Sequence, residues 1–215
     1  MKRGNPMQIL EYENTDSGIL LLQPVDEHDL ELMDSEVALI KQLTDREFGL
    51  LAFEVSDWNR ELSPWEAPAV FGKNGFAGEA AKTLDEISGY CTDPSRSYYI
   101  GGYSLAGLFA LWASYQSDVF AGVAAASPSM WFPGFEEYMK ASQIKCPKVY
   151  LSLGDKEECT KNPVMSSVGS RIKSAEQLLK SQNVCCTLEW NPGNHFRDSD
   201  LRTAKAFAWL LQRDL

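Results

Sequence analysis

The sequence predicts an α/β protein in which helices cover both faces of a mostly parallel sheet. The first observation is that short apolar runs of strand length alternate along the chain with longer segments of helical periodicity. The second is that residues 48–55 are almost continuously apolar, as in a strand covered on both faces. The 215 residues contain no internal repeat and no linker-like tract, so a single domain over residues 1–215, without a separate lid domain, is expected.

The N-terminal part predicts two strands and a helix. Residues 9–13 and 19–25 flank the turn-forming segment 14–18, and we expect them to pair with each other as antiparallel strands at one edge of the sheet. Apolar side chains at helical spacing then predict a helix from about Leu30 to Leu43.

The chain beyond residue 76 predicts strands and helices in alternation. The predicted strands are residues 97–102, 122–126, 149–153 and 187–190. The predicted helices are residues 78–88, 105–116, 134–142, 164–182 and 199–213. In the fourth of these helices the apolar side chains recur every three or four residues, which lines one helical face.

Residues 56–75 differ from this pattern because they contain two tryptophans and several turn-forming residues but little periodicity. Long ordered loops are often functional, so this segment is expected to form the main wall of a shallow, open site. The alternative is a structural one, in which Ser63, Pro64 and Glu66 start a helix through a capping box.

The composition excludes several classes of partner. The formal net charge is -10, and an acidic surface of this kind repels both nucleic acids and anionic membranes. No apolar stretch reaches the roughly 18 residues of a membrane-spanning helix, and residues 1–6 are not followed by the apolar core of a signal peptide. A cytoplasmic location is therefore expected.

The cysteines and histidines do not form a pattern typical of a metal site. Five cysteines, an odd number without a Cys-x-x-Cys pair, predict reduced thiols. With only two histidines in addition, neither a metal nor another cofactor is expected.

The segment from Gly102 to Gly107 predicts a catalytic nucleophile. It reads Gly-Tyr-Ser-Leu-Ala-Gly, and it follows an apolar strand and leads directly into a helix, which is the context of a nucleophile elbow with Ser104 at its tip. The turn needs small residues two before and two after the serine, and Gly102 and Ala106 meet that need although the usual second glycine is an alanine. The N–H of Leu105, at the start of the helix, can then face a developing oxyanion.

The alternative interpretation of this segment is a glycine-rich turn without catalysis. In that case the turn binds a phosphate or nothing, and Ser104 is only a helix cap. A dinucleotide-binding fingerprint is not met, because Gly101, Gly102 and Gly107 do not have its spacing.

The order of residues along the chain favours the elbow. A hydrolase of this kind needs an acid and then a histidine after later strands, and the chain supplies both in that order. Three acids follow the strand at residues 149–153, and Glu157 is preferred as the triad acid over Asp155 and Glu158. His195 follows the last strand and is preferred as the general base over His28, which lies in a polar segment.

Three segments together resemble the esterase branch of the α/β-hydrolases, which includes enterobactin-type siderophore esterases, feruloyl esterases and S-formylglutathione hydrolase. They are residues 102–111, the Ser-Pro-Ser-Met-Trp-Phe sequence at 127–132 and Gly-Asn-His-Phe at 193–196. The resemblance extends in order over most of the chain from Phe48 onward. It implies an α/β-hydrolase fold and attack by Ser104 on a carboxylic ester or thioester, with an acyl-enzyme intermediate.

The resemblance also implies where the remaining site residues lie. The second oxyanion donor is expected to be the backbone N–H of Trp58 or Asp57. The candidates to line the substrate pocket are Trp58, Tyr103, Trp131 and Phe196.

Other functions remain open at this point. The chain could be a catalytically inactive relative that serves as a binding protein, or a thioesterase or peptidase on the same fold, because pocket shape rather than the triad selects the substrate. The expected partner is a small-molecule ester, and the sequence leaves its identity and the oligomeric state undetermined.

Overall fold

The computed structural model describes residues 7–212. Its strands are β1 (Gln8–Glu13), β2 (Ile19–Val25), β3 (Gly49–Glu54), β4 (Glu66–Ala67), β5 (Phe76–Ala77), β6 (Ser97–Tyr103), β7 (Phe120–Ala126), β8 (Lys148–Gly154) and β9 (Cys185–Asn191). Its helices are α1 (Glu27–Leu43), α2 (Trp58–Glu61), α3 (Ala80–Ser88), α4 (Ser104–Gln116), α5 (Phe135–Ala141), α6 (Val168–Ser181) and α7 (Ser199–Leu211), with a short 3-10 turn at Met165–Ser167 before α6.

The predicted elements are all present, and their ends differ by a few residues. Helix α1 begins three residues before the predicted Leu30, because Asp26 and Asp29 form a capping box around its first turn. Helix α7 ends at Leu211, and the predicted end at Arg213 lies outside the described residues. The N-terminal residues 1–6, considered above for a signal peptide, also lie outside them.

Seven strands form one mostly parallel sheet in the order β1-β3-β2-β6-β7-β8-β9, and β4 and β5 form a separate two-stranded ribbon. Only β1 runs antiparallel to its neighbour within the large sheet. Helices α3 to α6 pack on one face, and α1 and α7 pack on the other. The predicted α/β class, with helices on both faces of a mostly parallel sheet, is therefore confirmed.

The predicted pairing of the first two strands is wrong, because β3 lies between them. Every residue of β2 is buried, so this strand needs a hydrogen-bonded neighbour on both edges. Helix α1 carries the chain from β2 to β3, which pairs with one edge of β2, and β6 pairs with the other edge. The turn at residues 14–18 then crosses the start of β3. A Cβ at Gly49 would lie 2.5 Å from the Cα of Thr15, so this crossing needs a glycine.

The predicted helix start at Ser63 is also wrong. The helix of this segment is α2, which begins after Asp57, and Ser63 follows its end. The Ser63 hydroxyl donates to the carbonyl of Asn59 at 2.6 Å and accepts the N–H of Gly78 at 2.8 Å. Ser63 therefore ties α2 to the β4–β5 ribbon instead of capping a helix.

Within residues 7–212, no helix combines the length and the apolar composition needed to cross a membrane. The thiols of the five cysteines are free.

Candidate active site

Ser104 stands at the sharp turn between β6 and α4, and its backbone is in the left-handed region with φ of 56°. Such a conformation is uncommon for a residue other than glycine and is typical of strained functional turns. A Cβ at Gly102 would lie 2.6 Å from the Cβ of Ala106, so only one of these two positions can carry a methyl group. The alanine that departs from the usual motif is tolerated because Gly102 is a glycine.

Helix α4 holds this turn in place because residues 105–115 are all buried. Leu and Ala side chains predominate there, which lets the helix pack against the centre of the sheet on one side and the surrounding helices on the other. The nucleophile candidate is thus mounted on one of the most enclosed helices of the fold.

The loops after β6, β8 and β9 bring three predicted residues into contact. The Oγ of Ser104 lies 3.0 Å from Nε2 of His195, and Nδ1 of His195 lies 2.7 Å from Oε2 of Glu157. The carboxyl ends of parallel strands lie at one edge of a sheet, so residues distant in sequence meet there. The side chain of His195 is 24% exposed and that of Glu157 only 4%, so the line of contacts runs from the cleft into the interior.

The second oxygen of Glu157 is saturated by donors. Its Oε1 accepts from the N–H of Gly154 at 2.7 Å, from Oγ of Ser127 at 2.8 Å and from Nη1 of Arg202 at 2.9 Å. Burial alone would raise the pKa of this carboxyl, but the hydrogen bonds from His195, Gly154 and Ser127 and the charge of His195 hold it below its ordinary value. Glu157 is therefore a buried carboxylate that stays ionised.

Arg202, on α7, is not among the residues predicted from the sequence. It is 1% exposed, and its guanidinium contacts Glu157, Tyr103 and Ser127. The signal for it was present, because Arg202 shares the four-residue spacing of a buried helical face with Ala206 and Leu210. A cation on such a face requires a buried anion, and Glu157 is that anion.

The Ser-Pro-Ser segment after β7 contacts both ends of the site, a role that the sequence did not suggest. Ser127 donates to Glu157, as described above, and Oγ of Ser129 lies 3.3 Å from Oγ of Ser104. The backbone N–H of Ser129 also donates to the carbonyl of Ser104 at 3.0 Å. Both serines are buried, so these contacts hold the elbow and the acid against one loop.

The other predicted acids do not contact His195. Asp155, the alternative triad acid, accepts the N–H of Gly193 at 2.8 Å and thereby braces the loop that carries the histidine. Glu158 lies against Gly169 at the start of α6. The difference arises because the N–H of Glu157 bonds to the carbonyl of Gly154, and this turn directs its side chain back under the strand end.

The two candidates for a second oxyanion donor differ in their hydrogen bonding. The N–H of Asp57 donates to Oε1 of Glu61 at 3.0 Å, so it is already engaged within α2. Trp58 is the first residue of that helix and lines the same cleft as Ser104. Leu105 occupies the corresponding first turn of α4. These positions leave Leu105 and Trp58 as the candidate pair.

A cleft of about 230 Å³ opens over Ser104. It is lined by Asp26, His28, Asp29, Trp58, Tyr103, Ser104, His195, Phe196 and Ser199. The segment 56–75 supplies only Trp58, so the expectation that it forms the main wall is wrong. The start of α1, with its capping box, forms the opposite wall, and the rival base His28 stands there, exposed and apart from Ser104.

Of the four predicted pocket aromatics, Trp58, Tyr103 and Phe196 line the cleft and Trp131 does not. Phe196 is 92% exposed at the rim and packs edge-on against the His195 ring. Tyr103 lies beside that imidazole and donates its hydroxyl to the carbonyl of His195 at 2.7 Å. Trp131 does not line the cleft. It is buried against Phe71 and Phe76, because the loop after β7 turns its indole into the core.

No family model and no curated protein sequence matches this chain. Among solved structures, it is similar to an IroE-like serine hydrolase from Shewanella oneidensis, with a TM-score of 0.74 and 14% identity over 94% of this chain and 75% of that one. It is also similar to the siderophore hydrolase EstA from Aspergillus nidulans, with a TM-score of 0.62 and 16% identity over 98% and 96% of the two chains.

A third similar structure is the Bacillus cereus carboxylesterase, with a TM-score of 0.55 and 16% identity over 96% of this chain and 94% of that one. At such low identity these comparisons establish the fold. The chain has the α/β-hydrolase fold that the resemblance of its motifs implied.

Proposed function

We propose that this chain is a serine hydrolase that cleaves carboxylic esters through Ser104, His195 and Glu157. The observation that carries the proposal is the unbroken line of short contacts from Ser104 through His195 to Glu157, which begins in an open cleft and ends in the interior. The names of the similar structures, among them a serine hydrolase and a carboxylesterase, support the same reaction class.

In the proposed reaction, Ser104 attacks the ester carbonyl while Nε2 of His195 takes its proton. The imidazolium then gives this proton to the leaving alcohol. In the second half, His195 takes a proton from water as the water attacks the acyl-enzyme, and the imidazolium returns the proton to Ser104 as the acid is released. Glu157 accepts a hydrogen bond from Nδ1–H of His195 and stays ionised, which fixes the tautomer with a free Nε2 and stabilises the transient positive charge.

The oxyanion of the tetrahedral intermediate needs donors that are already in place. We propose the backbone N–H groups of Leu105 and Trp58 for this role, since both stand in the first turn of a helix beside the cleft. Helix N-termini also carry a partial positive charge, which favours an anion at this position.

The size of the cleft favours a small acyl or alcohol group, with the remainder of the substrate extending past Phe196 into solvent. Thioesters and amides use the same triad, so the leaving group is decided by comparing p-nitrophenyl acetate, an acyl-CoA and a peptide amide side by side. We expect the ester to give the highest kcat/KM.

The test is labelling with a fluorophosphonate, followed by mass-spectrometric mapping of the modified residue. We expect modification at Ser104, its loss in Ser104→Ala and a sharp fall in rate in His195→Ala. The comparison variant is His28→Ala, which removes the rival general base and should lower the labelling rate far less than His195→Ala does. A folded protein that stays unlabelled would contradict the proposal and favour a binding protein without catalysis.

A further inference from the structure

Arg202 joins the acid of the site to the loop that carries the histidine. Its Nη1 donates to Oε1 of Glu157, and its Nη2 donates to the carbonyls of Pro192 at 3.2 Å and Asn194 at 3.0 Å. These two carbonyls lie within three residues of His195. One planar guanidinium therefore contacts the carboxylate that accepts from the imidazole and the backbone just before the histidine.

The surroundings of the guanidinium are arranged for this cation. A Cβ at Gly154 would lie 3.0 Å from Nη1 of Arg202 and 3.0 Å from Oε1 of Glu157, so the strand end leaves the space that the pair occupies. The hydroxyls of Tyr103 and Ser127 lie 3.1 and 3.2 Å from Nη1 and share the hydrogen that Glu157 does not take. Burying an arginine is costly unless it is paired and hydrogen-bonded; here Nη1 and Nη2 are, and Nε has no hydrogen-bond partner among residues 7–212.

Tyr103 extends the same connection to the other side of the histidine. It accepts from Arg202 at 3.1 Å and donates to the carbonyl of His195 at 2.7 Å. The backbone of residues 192–195 is thus held at three carbonyls, two of them directly by the guanidinium and the third through the phenol.

We propose that Arg202 is a positioning residue for the reaction: it fixes Glu157 and the His195 loop relative to each other, so that Nε2 of His195 stays within reach of Ser104. It acts through these groups and does not contact the substrate. A displacement of about 1 Å between reacting groups can cost about 100-fold in rate, which gives the expected size of the effect. This inference rests on the function proposed above.

Two variants test this. Arg202→Met removes the charge and all hydrogen-bond donors, and Arg202→Lys keeps the charge but replaces the planar fork of guanidinium donors with a single ammonium group. The matched control is Arg197→Met: Arg197 is an exposed arginine in the loop that carries His195, and among residues 7–212 its side chain pairs only with the neighbouring Asp198. For p-nitrophenyl acetate we expect Arg202→Met to lower kcat about 100-fold with KM within about threefold of wild type. Arg202→Lys should recover part of this loss, and the control should match the wild type.

A spectroscopic readout separates this inference from the proposed function. We expect the proton on Nδ1 of His195, hydrogen-bonded to Glu157, to give a downfield imidazole NMR signal, whereas the ring N–H of exposed His28 exchanges with water and should give none. We expect the downfield signal in wild type and Arg197→Met and its loss in Arg202→Met, whether or not any ester is turned over. If wild type shows the signal but Ser104 is not labelled, the hydrolase proposal fails and with it any role of Arg202 in catalysis; loss of the signal in Arg202→Met would then show only that Arg202 orders the His195–Glu157 pair.

Thermal unfolding checks that each variant is folded before it is compared. A folded Arg202→Met protein with wild-type kcat and an unchanged downfield signal would overturn the inference. If Arg202→Met does not fold, Arg202→Lys decides, because wild-type kcat and an unchanged signal in that variant would mean that the fork geometry has no positioning role.

Discussion

Two buried glutamates in different parts of the molecule have opposite electrostatic surroundings. Glu157, at the carboxyl end of the sheet, accepts hydrogen bonds on both oxygens. Glu36 lies on α1, on the sheet face that α1 and α7 cover, and it accepts one long hydrogen bond from Nε2 of Gln23 at 3.3 Å. Its Oε1 and Oε1 of Gln23 have no hydrogen-bond partner among residues 7–212. The pKa of Glu157 is lowered, whereas that of Glu36 is raised well above its ordinary value.

The comparison shows that burial does not by itself decide the charge of a carboxyl group. Desolvation raises the pKa at both positions, and the neighbours then determine the sign. Around Glu157 they are donors and cations, but around Glu36 the charges of Asp29 and Asp200 raise the pKa further. The fold therefore favours the charged carboxyl where the proposed chemistry needs an anion and disfavours it at Glu36, where one bond from Gln23 offsets only part of the desolvation.

The largest expected effect comes from replacing the acid of the site, Glu157→Gln. An amide at this position cannot select the His195 tautomer with a free Nε2, since its NH₂ group can itself donate to Nδ1. We expect kcat for p-nitrophenyl acetate to fall about 10³- to 10⁴-fold. Steady-state kinetics on the folded variant measure this, and a loss below about tenfold would mean that Glu157 is not the triad acid.

The same substitution also tests the electrostatic half of the comparison. At pH 7 we expect Glu157→Gln to lower the free energy of unfolding by about 3 kcal/mol, because the buried Arg202 loses its counter-charge. The pKa of Glu157 is lowered in the fold, so its stabilising contribution is present above the ordinary carboxyl pKa and is lost as the pH falls through the lowered value. Urea unfolding at pH 7 and in the acid range should therefore show a difference that shrinks on acidification. A difference independent of pH would contradict this explanation.

Replacement of the other buried acid, Glu36→Gln, is expected to act in the opposite direction. The pKa of Glu36 is raised in the fold, so the stability it allows is present below the ordinary carboxyl pKa and is lost as the pH rises toward the raised value. An amide does not ionise and can exchange two hydrogen bonds with the amide of Gln23. We expect a gain of about 1–2 kcal/mol at pH 8.

The charged and titratable groups around Glu36 serve to interpret that experiment. They are Asp29 of α1, Asp200 of α7 and Tyr12 of β1. These groups remain in the variant, and because burial raises the pKa of Asp29 to about 6, Asp29 also changes charge between pH 4 and pH 8. Urea unfolding of wild type and variant is therefore compared at each pH, and the gain should be smaller at pH 4. Equal effects at both pH values would show that packing rather than charge separates the two residues.

The sequence was sufficient for the fold class, and it named three residues, Ser104, Glu157 and His195, that the structure brings into contact. Apolar periodicity predicted the elements, and chain order predicted which loops would carry Ser104, Glu157 and His195. Strand order was not predictable from local turn signals, because the position of β3 depends on the demand of β2 for a neighbour on both edges.

The residues that support the site were harder to find in the sequence. The importance of Arg202 depends on which helical face meets the acid, and this is decided by tertiary packing. The burial of Trp131 likewise depends on the path of the loop after β7, which no local pattern reveals. Sequence patterns indicate the chemistry available to a side chain, whereas the roles of Arg202 and Trp131 depend on their tertiary contacts.

The smallest expected effect comes from Asp155→Asn, which separates bracing of the histidine loop from a direct catalytic role. Asp155 accepts the N–H of Gly193 with Oδ1, and the amide oxygen of asparagine can accept the same bond. We therefore expect kcat and the unfolding free energy to stay within about threefold and about 0.5 kcal/mol of wild type. A loss comparable to that of Glu157→Gln would reverse the assignment of the two acids. Asp155 lies only two residues from Glu157 in the chain but lacks its contacts with His195, Ser127 and Arg202. This variant therefore shows whether those contacts, rather than position in the sequence, make a carboxylate part of the site.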